Sequence, residues 1–551
     1  MFIHPRPFWK YIYEPFIRHS AGLGKAPSQK DNSKYEHFYA FYDVVIVGGG
    51  ISGLTAAVRA AESGLKILIM EQTSTWGGRS IIDFPNIYDE TSSDYVSRLL
   101  ADLKKFENVT MRSRMMGAGV YDHGYLLGYE RLNDHINADE GPRHRLWRIR
   151  AKQIITATGA IERPLSFPGN DIPGVMLASA VRDYTVNFGV ASGDKVAIYT
   201  NNDDAYRTAI TLSGVGIDVP VIIDARVRGG GELAERARAL GIRVENGKAI
   251  SKVFGKNRVR AIEICEHSDS SKANQKIECD CIAMSGGWSP VVHLYSHCGG
   301  KLKWDEKLAL FRPDSSAKPT SYNGLPFVTA VGSANGFLLM QDVLKDAWEA
   351  CLDVIEAAGG GIRKKNFNEH SQEYENSLEA IWIAPNDADI KKRAKTWLDF
   401  QNDVKVNDVE LAAREGFESV EHAKRYTTLG MATDQGKLSN INGLAVLSSS
   451  LGKEIPKVGT TTFRPPYTPI SLGSVGGSAR DALFQPVRKT PMHDWHENNG
   501  AYMEPVGQWR RPFCYPKAGE THASAVEREI NQTRSSLGLL DASTLGKLLV
   551  T

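Results

Sequence analysis

Gly48, Gly50 and Gly53 stand at Gly-x-Gly-x-x-Gly spacing within "DVVIVGGGISGLTAAVRAAESGLKILIMEQ", residues 43–72. The chemistry open to such a stretch is recognition of a dinucleotide. Gly48 permits a tight turn, Gly50 lets the main chain approach a pyrophosphate, and Gly53 lets the following helix pack closely on the strand. The helix N-terminus then faces the phosphates. Glu71 ends the next strand, where a carboxylate accepts hydrogen bonds from ribose hydroxyls and disfavours a 2′-phosphate. "TWGGRS", residues 75–80, adds a second glycine turn from which Arg79 reaches toward the phosphates.

Two-dinucleotide flavoproteins carry three later marks. An Ala-Thr-Gly strand end is present in "IITATGA", residues 154–160, and a double-glycine return strand in "CIAMSGGWSP", residues 281–290. The third mark is Gly-Asp, whose Asp holds a flavin's ribityl–phosphate region; "FVTAVGSANG", residues 327–336, has Ser333 after Gly332. The six cysteines (Cys265, Cys279, Cys281, Cys298, Cys351 and Cys514) include no Cys-x-x-Cys, so no dithiol is at hand to accept electrons. Cys279 and Cys281 are expected to face one side of a strand, as buried small residues in a reducing cytoplasm. The scaffold fits a flavoprotein disulfide-reductase relative without its electron-transfer parts.

Other constellations are weaker. In "IYTNNDDAYRTA" the expected glycines of a second dinucleotide turn are replaced by Thr200, Asn201, Asn202 and Asp203, with Asp224 ending the following strand. Asn and Asp tolerate left-handed turns, so the fold persists while close pyrophosphate approach suffers. His493 and His496 have His-x-x-His spacing beside Asp494 and Glu497. This is a possible metal set, but it lies in a linker-like segment without a second pair, and a solvated junction is the default.

These residues need elements to hold them. Alternating strand and helix patterns over 36–165 and 320–360 read as one α/β Rossmann domain, interrupted by a second Rossmann-like domain over 166–319. Residues 361–484 read as a small helical domain and its connection, with two short helical runs split at Gly416. Residues 485–551 begin a new unit, and 1–35 read as a linker without a clear element. Both ends look cut. A chain of 551 residues is too long for one core. Its net charge of +2 provides no general field for nucleic acid. No signal-peptide core or membrane span is visible, which points to the cytoplasm.

Several stretches together resemble one family, the alpha subunits of heterotetrameric sarcosine oxidase. They are "YEPFIRHSAGLGKAP", "VIVGGGISGLTAA", "ATGAIERPLSFPGNDIPGVMLA", "SGGWSPVVHL", "FQNDVKVNDVELAAREGFESVEHAKRYTTLGMATDQGK", "GTTTFRPPYTPISLG" and "DASTLGKLLV". The stretch from Phe400 to Lys437 is the most specific, being no general Rossmann signature.

The resemblance implies NAD in the first fold, not used as a hydride carrier. It implies FAD on a beta subunit that oxidises sarcosine, FMN at the interface with that subunit, and gamma and delta subunits in the complex. It also implies tetrahydrofolate on an aminomethyltransferase-like domain of which 485–551 are the incomplete start. Products would be glycine, hydrogen peroxide and either 5,10-methylenetetrahydrofolate or formaldehyde. By position, Gly48, Gly50, Ile51, Ser52 and Gly53 match the phosphate turn, Glu71 and Gln72 the ribose-binding strand end, and Arg79 the second turn. Ala118 falls near the adenine-side strand, Ser333 and Met340 on the closing segment, and Thr544 at a folate-contacting position or a simple cap. Full family members begin with a further ferredoxin-like domain. Related opine and amino-acid oxidase subunits carry a cysteine-ligated cluster, which "DFQNDVKVND" has no thiolates to bind. Three other readings stay open: a self-contained FAD enzyme using NAD(P)H, a subunit of a related opine or amino-acid dehydrogenase complex, and a non-catalytic NAD-binding assembly factor.

Overall fold

The computed structural model describes all residues except 1–3, 23, 26, 137–140, 362–365, 368–377 and 551, and omits the side chains of 272–274. It divides into two units, one of Met1–Glu36, Asn133–Arg143 and Gly476–Thr551, the other of His37–Leu132 and His144–Val475.

The larger unit is built around two sheets, the first mixed and the second parallel. Val44, Val45, Ile46 and Val47 are all buried, as a strand covered on both faces requires. Their strand, Lys34–Val47, pairs in parallel with Ile67–Met70, which pairs in parallel with Val109–Arg112. Pro142–Thr156 lies on the other side and continues into an antiparallel meander with Tyr125–Arg131 and Met115–Tyr121. The chain returns to this sheet at Val328–Ala330, parallel to Pro142–Thr156. The helix Ile51–Ala61 is alanine-rich and almost wholly buried, packed with the helix Met340–Ala358 in one apolar core. Truncating Leu54, at the centre of that core, to alanine would cost about 2–5 kcal/mol.

The intervening segment forms the second sheet, with five parallel strands in the order Val175–Leu177, Cys281–Ser285, Val196–Thr200, Ile222–Asp224 and Val244–Asn246. The fold class is thus the expected one of two interleaved dinucleotide-type folds, joined in this unit by a small helical region. There Val406–Arg414, Val420–Thr427 and Asn440–Leu451 pack around Leu398, Val409, Leu444 and Leu447. Gly416 sits between the first two helices at φ +91°, in the left-handed region that ends a helix cheaply only for glycine.

The smaller unit has a three-stranded sheet of Arg488–Lys489, Trp509–Cys514 and Tyr502–Val506, with the helices His493–Asn498 and His522–Ser535. The opening segment departs from expectation. It is helical from Arg6 to Ser20, passing through a π-type turn at Trp9–Tyr13. None of these residues is buried, so no apolar periodicity announced the helix; Pro15 in the first turn of Glu14–Ser20 and the Glu14–Arg18 pair at 2.6 Å favour it locally.

Cys279 and Cys281 also depart from expectation. A bend at Asp280 separates the strand Asp269–Glu278 from Cys281–Ser285, and the two thiols enter different cores. Asp280 is held out of line by accepting hydrogen bonds from the amides of Asp194 and Lys195 at 3.0 and 2.9 Å. Among the described residues no helix is long and apolar enough to cross a membrane.

Candidate nucleotide site

A cavity of about 1140 Å³ opens in the larger unit at the carboxyl ends of the first sheet's strands. Gly48, Gly50, Ile51 and Ser52 form part of its wall. Gly48 has φ +112°, and a Cβ there would lie 2.3 Å from the Ala157 carbonyl oxygen. A Cβ on Gly53 would meet the Gly48 oxygen at 1.9 Å, so this glycine serves helix packing and does not face the cavity. Gly50 is different. Its backbone is ordinary, at φ −70° and ψ 179°, and a Cβ would find nothing nearer than Gly78 Cα at 3.9 Å. The space beside Gly50 is therefore kept by the protein but not needed by it. Gly50 caps the helix Ile51–Ala61 without a side-chain hydrogen bond, leaving first-turn amides for an anion.

The Glu71 carboxylate, buried at the end of its strand, accepts from the Gly49 amide at 2.8 Å and from the Thr73 amide and hydroxyl at 2.8 and 2.9 Å. It thereby ties the glycine turn to the strand end where a ribose would bind. Gln72 lies beside it on the cavity wall. Arg79 also lines the cavity but is not free: Nε and Nη2 donate to the Asp83 carboxylate at 2.9 and 2.6 Å, and the guanidinium stands 5.4 Å from the Trp288 ring centroid. Burial works against its charge, and Asp83 more than offsets that, so its pKa is raised. Most of the anion attraction must then come from the helix N-terminus.

Ser333 and Met340 reach the same cavity from the 3₁₀ turn Gly332–Asn335 and the first residue of the helix Met340–Ala358. Gly332, at φ +62°, donates its amide to Asp346 at 2.7 Å, and a Cβ on it would touch Ser52. Ala118 is placed differently from expectation. It is 2% exposed, and the wall is formed instead by Met115, Met116 and Gly117. Register on a bulged strand, here irregular between Gly117 and Gly119, is not readable from the sequence. The sequence reading also missed Trp288, His293, Lys437, Tyr467 and Thr468, which line the cavity from far along the chain and carry no spacing signal.

The turn of the second fold is filled by its own side chains, and Asn202, Asp203 and Asp204 border the same cavity. Asp203 and Asp204 stand at the start of the helix Asp204–Gly214, where a phosphate would need room. Arg226 holds Asp203 at 2.6 Å and Asp224 at 2.7 Å, and the Tyr206 hydroxyl donates to Asp224 at 2.8 Å. Arg182 links Asp204, at 2.9 Å, to Asp83 of the first fold, at 2.8 Å. Burial raises the Asp204 pKa, but Arg182 and Arg207 overcome this and hold it below the usual carboxylate value. Nearby, burial and then the Asp204 charge push Glu162 up to about 7.

In the smaller unit the His-x-x-His pair is split. His496 lies between the Tyr515 hydroxyl and Asp541, 3.0 Å from the latter, whereas His493 is 3.2 Å from Glu497. His493, Asp494 and Glu497 have potential ligand atoms within 4.8 Å of one another, and His496 stands apart from that group. Thr544 is half-buried in the turn that follows Asp541, with Leu545 donating its amide to the Ala542 carbonyl at 3.1 Å.

Fold and cavity together define a nucleotide-binding domain of the two-dinucleotide type, and residues 42–311 match the pyridine nucleotide-disulphide oxidoreductase family. Residues 393–479 match the sarcosine oxidase A3 domain and 492–551 the GCVT N-terminal domain. The chain is 38% identical over 560 aligned residues to the sarcosine oxidase subunit alpha of Rhizobium meliloti (strain 1021), covering 100% of this chain and 54% of the relative. It is 35% identical to that of Corynebacterium sp. (strain P-1), covering 96% and 54%. By sequence the chain is a relative of the sarcosine oxidase alpha subunits along its whole length, and it spans about half the length of the curated relatives it matches. The crystal structure of L-proline dehydrogenase from P. horikoshii shares the fold at 20% identity and a TM-score of 0.60, covering 80% of this chain and 81% of that one.

Proposed function

We propose that this chain is the NAD-holding part of a sarcosine oxidase alpha subunit, working in a complex with beta, gamma and delta subunits in the cytoplasm. The observation that carries the reading is the 38% identity to such a subunit along 100% of this chain. On this reading the complex's flavins, FAD on the beta subunit and FMN shared at its interface with this one, supply the oxidation of the N-methyl carbon of sarcosine and the return of electrons to oxygen. Glycine and hydrogen peroxide result, with the one-carbon unit leaving as formaldehyde or 5,10-methylenetetrahydrofolate.

This chain's own residues bind and orient. The space beside Gly50 and the uncapped helix start fit a pyrophosphate, and Glu71 with Gln72 fits the adenosine ribose. Ile51 and Ser52 belong to the same turn, with Gly53 behind it, and Ser333 and Met340 close over the far half. Arg79, already paired with Asp83, shapes the wall. Ala118 lies on the adenine-side strand Met115–Tyr121, buried behind the wall. We assign 36–165 with 320–360 to the NAD domain, 166–319 to the inserted fold, 361–484 to the helical domain and its connection, and 485–551 to the folate-binding portion, with Thr544 near tetrahydrofolate.

The test is extraction of nucleotides from the purified chain, read by mass spectrometry, followed by assay of the assembled complex. NAD in the extract and oxidation of N-methylglycine by the complex are expected. A flavin in the first fold, or a complex inert toward all N-methyl amino acids, refutes the proposal.

A further inference from the structure

Two polar groups on the wall of the cavity are left without partners by the protein itself. His293 is 7% exposed, and its Nδ1 is buried with no hydrogen bond. Its ring stacks on Tyr467, with centroids 4.0 Å apart and planes at 14°. Tyr467 is fixed further by Phe463, edge-on at 5.5 Å, and by Lys437, whose Nζ stands 4.2 Å from its ring centroid. The Tyr467 hydroxyl makes no hydrogen bond among the described residues. Lys437, by contrast, spends its donors on the carbonyl oxygens of Thr433, Asp434 and Tyr467, at 3.5, 3.2 and 2.8 Å.

The position of this cluster is set by its neighbours. Met115 donates its amide to the Glu71 carbonyl at 2.8 Å, so the wall segment Met115–Gly117 continues directly from the ribose-binding strand end. A Cβ on Gly117 would lie 3.1 Å from Leu294, the residue after His293. The stacked pair thus flanks the segment beyond the ribose-binding acid, where the base of a dinucleotide lies.

Resting on the NAD reading above, we propose that His293 and Tyr467 read the edge of the adenine base, with Lys437 as their positioning residue. Adenine offers an exocyclic amine as donor beside a ring nitrogen as acceptor. A neutral imidazole has one donor and one acceptor nitrogen, and a tyrosine hydroxyl can do either. An imidazolium could only donate and would prefer guanine's carbonyl. Burial first, then the nearby His297 and the Lys437 charge, hold His293 well below its ordinary pKa and so keep the accepting lone pair. The Lys437 ammonium, committed to carbonyls, steadies Tyr467 without addressing the base.

The experiment measures binding of NAD, ADP-ribose and AMP to the nucleotide-stripped full chain by calorimetry, for the wild type, Tyr467→Phe and His293→Gln. Tyr467→Phe keeps the stack and removes one hydroxyl, so its unliganded melting temperature should not move. We expect it to weaken all three ligands alike, by about tenfold, the worth of one hydrogen bond to a buried partner. His293→Gln keeps one donor and one acceptor and should therefore retain the preference for NAD over its guanine analogue, measured alongside. Loss confined to NAD, with AMP unaffected, would place the pair at the nicotinamide end and overturn the assignment, as would unchanged binding of all three. A wild-type chain that binds none of them overturns the nucleotide reading itself.

Discussion

Arg226 grips Asp224 through two contacts, Nη2 to Oδ2 at 2.7 Å and Nε to Oδ1 at 3.0 Å, at the strand end where a second dinucleotide's ribose would meet its acid. The same guanidinium reaches Asp203 at 2.6 Å. The second fold holds its turn acid and its strand-end acid in internal ion pairs.

Removing that guanidinium leaves two buried carboxylates uncompensated. Arg226→Ala should therefore lose roughly 3–5 kcal/mol of stability, read by urea unfolding. The intact chain should bind one dinucleotide; titration showing two equivalents per chain would contradict the filling of the second fold's turn.

Gly50 and Gly53 separate ligand binding from folding. Gly53→Ala must push against the Gly48 carbonyl at 1.9 Å and should yield little folded protein. Gly50→Ala meets nothing within 3.9 Å, so its melting temperature without ligand should match the wild type. Nucleotide affinity should nevertheless fall at least tenfold, because the methyl group occupies the pyrophosphate's approach. Equal affinity in Gly50→Ala would show that the phosphates lie elsewhere.

Glu162 predicts a specific pH dependence. It is 1% exposed and its pKa is raised to about 7 from 4.5, because burial disfavours the carboxylate. Its favourable contribution is complete below the unfolded-state value and is lost as the pH rises through the folded one. Stability should thus decline across pH 4.5 to 7, by roughly 3 kcal/mol in all at about 1.4 kcal/mol per unit. Denaturant unfolding of Glu162→Gln against wild type should show a difference that grows across this window and then levels. A pH-independent difference would mean that the carboxylate is solvated.

The cysteines should be chemically silent. All six are buried, and burial pushes Cys265 up to about 11 and Cys279, Cys281, Cys298 and Cys351 up to about 12. Little thiolate is present at neutral pH. A disulfide reagent should label the native chain negligibly and all six thiols after unfolding; rapid native labelling would reveal a reactive site.

The glycine turn was legible because its signal is local. Gly48, Gly50 and Gly53 lie within one turn, and their lack of side chains is itself the functional property. Glu71 was legible for the same reason, one helix and one strand further on. The alternation of strands and helices gave the interleaved folds, since burial on both faces leaves continuous apolar runs. The helix Arg6–Ser20 was missed because it buries nothing, and the register of Ala118 was missed because a bulge leaves no compositional trace.

Residue types and spacing alone determined that a dinucleotide fold exists here, which acid ends its second strand, and that no dithiol accompanies it. Tertiary structure decided which residues share the cavity. His293 and Tyr467 are far apart in the chain, and only packing stacks their rings at 4.0 Å. It also decided that Arg79 and Arg226 are already neutralised by Asp83 and by Asp203 with Asp224. Sequence records which charges are present, but their availability depends on distances of a few ångströms, and those distances are fixed by long-range packing.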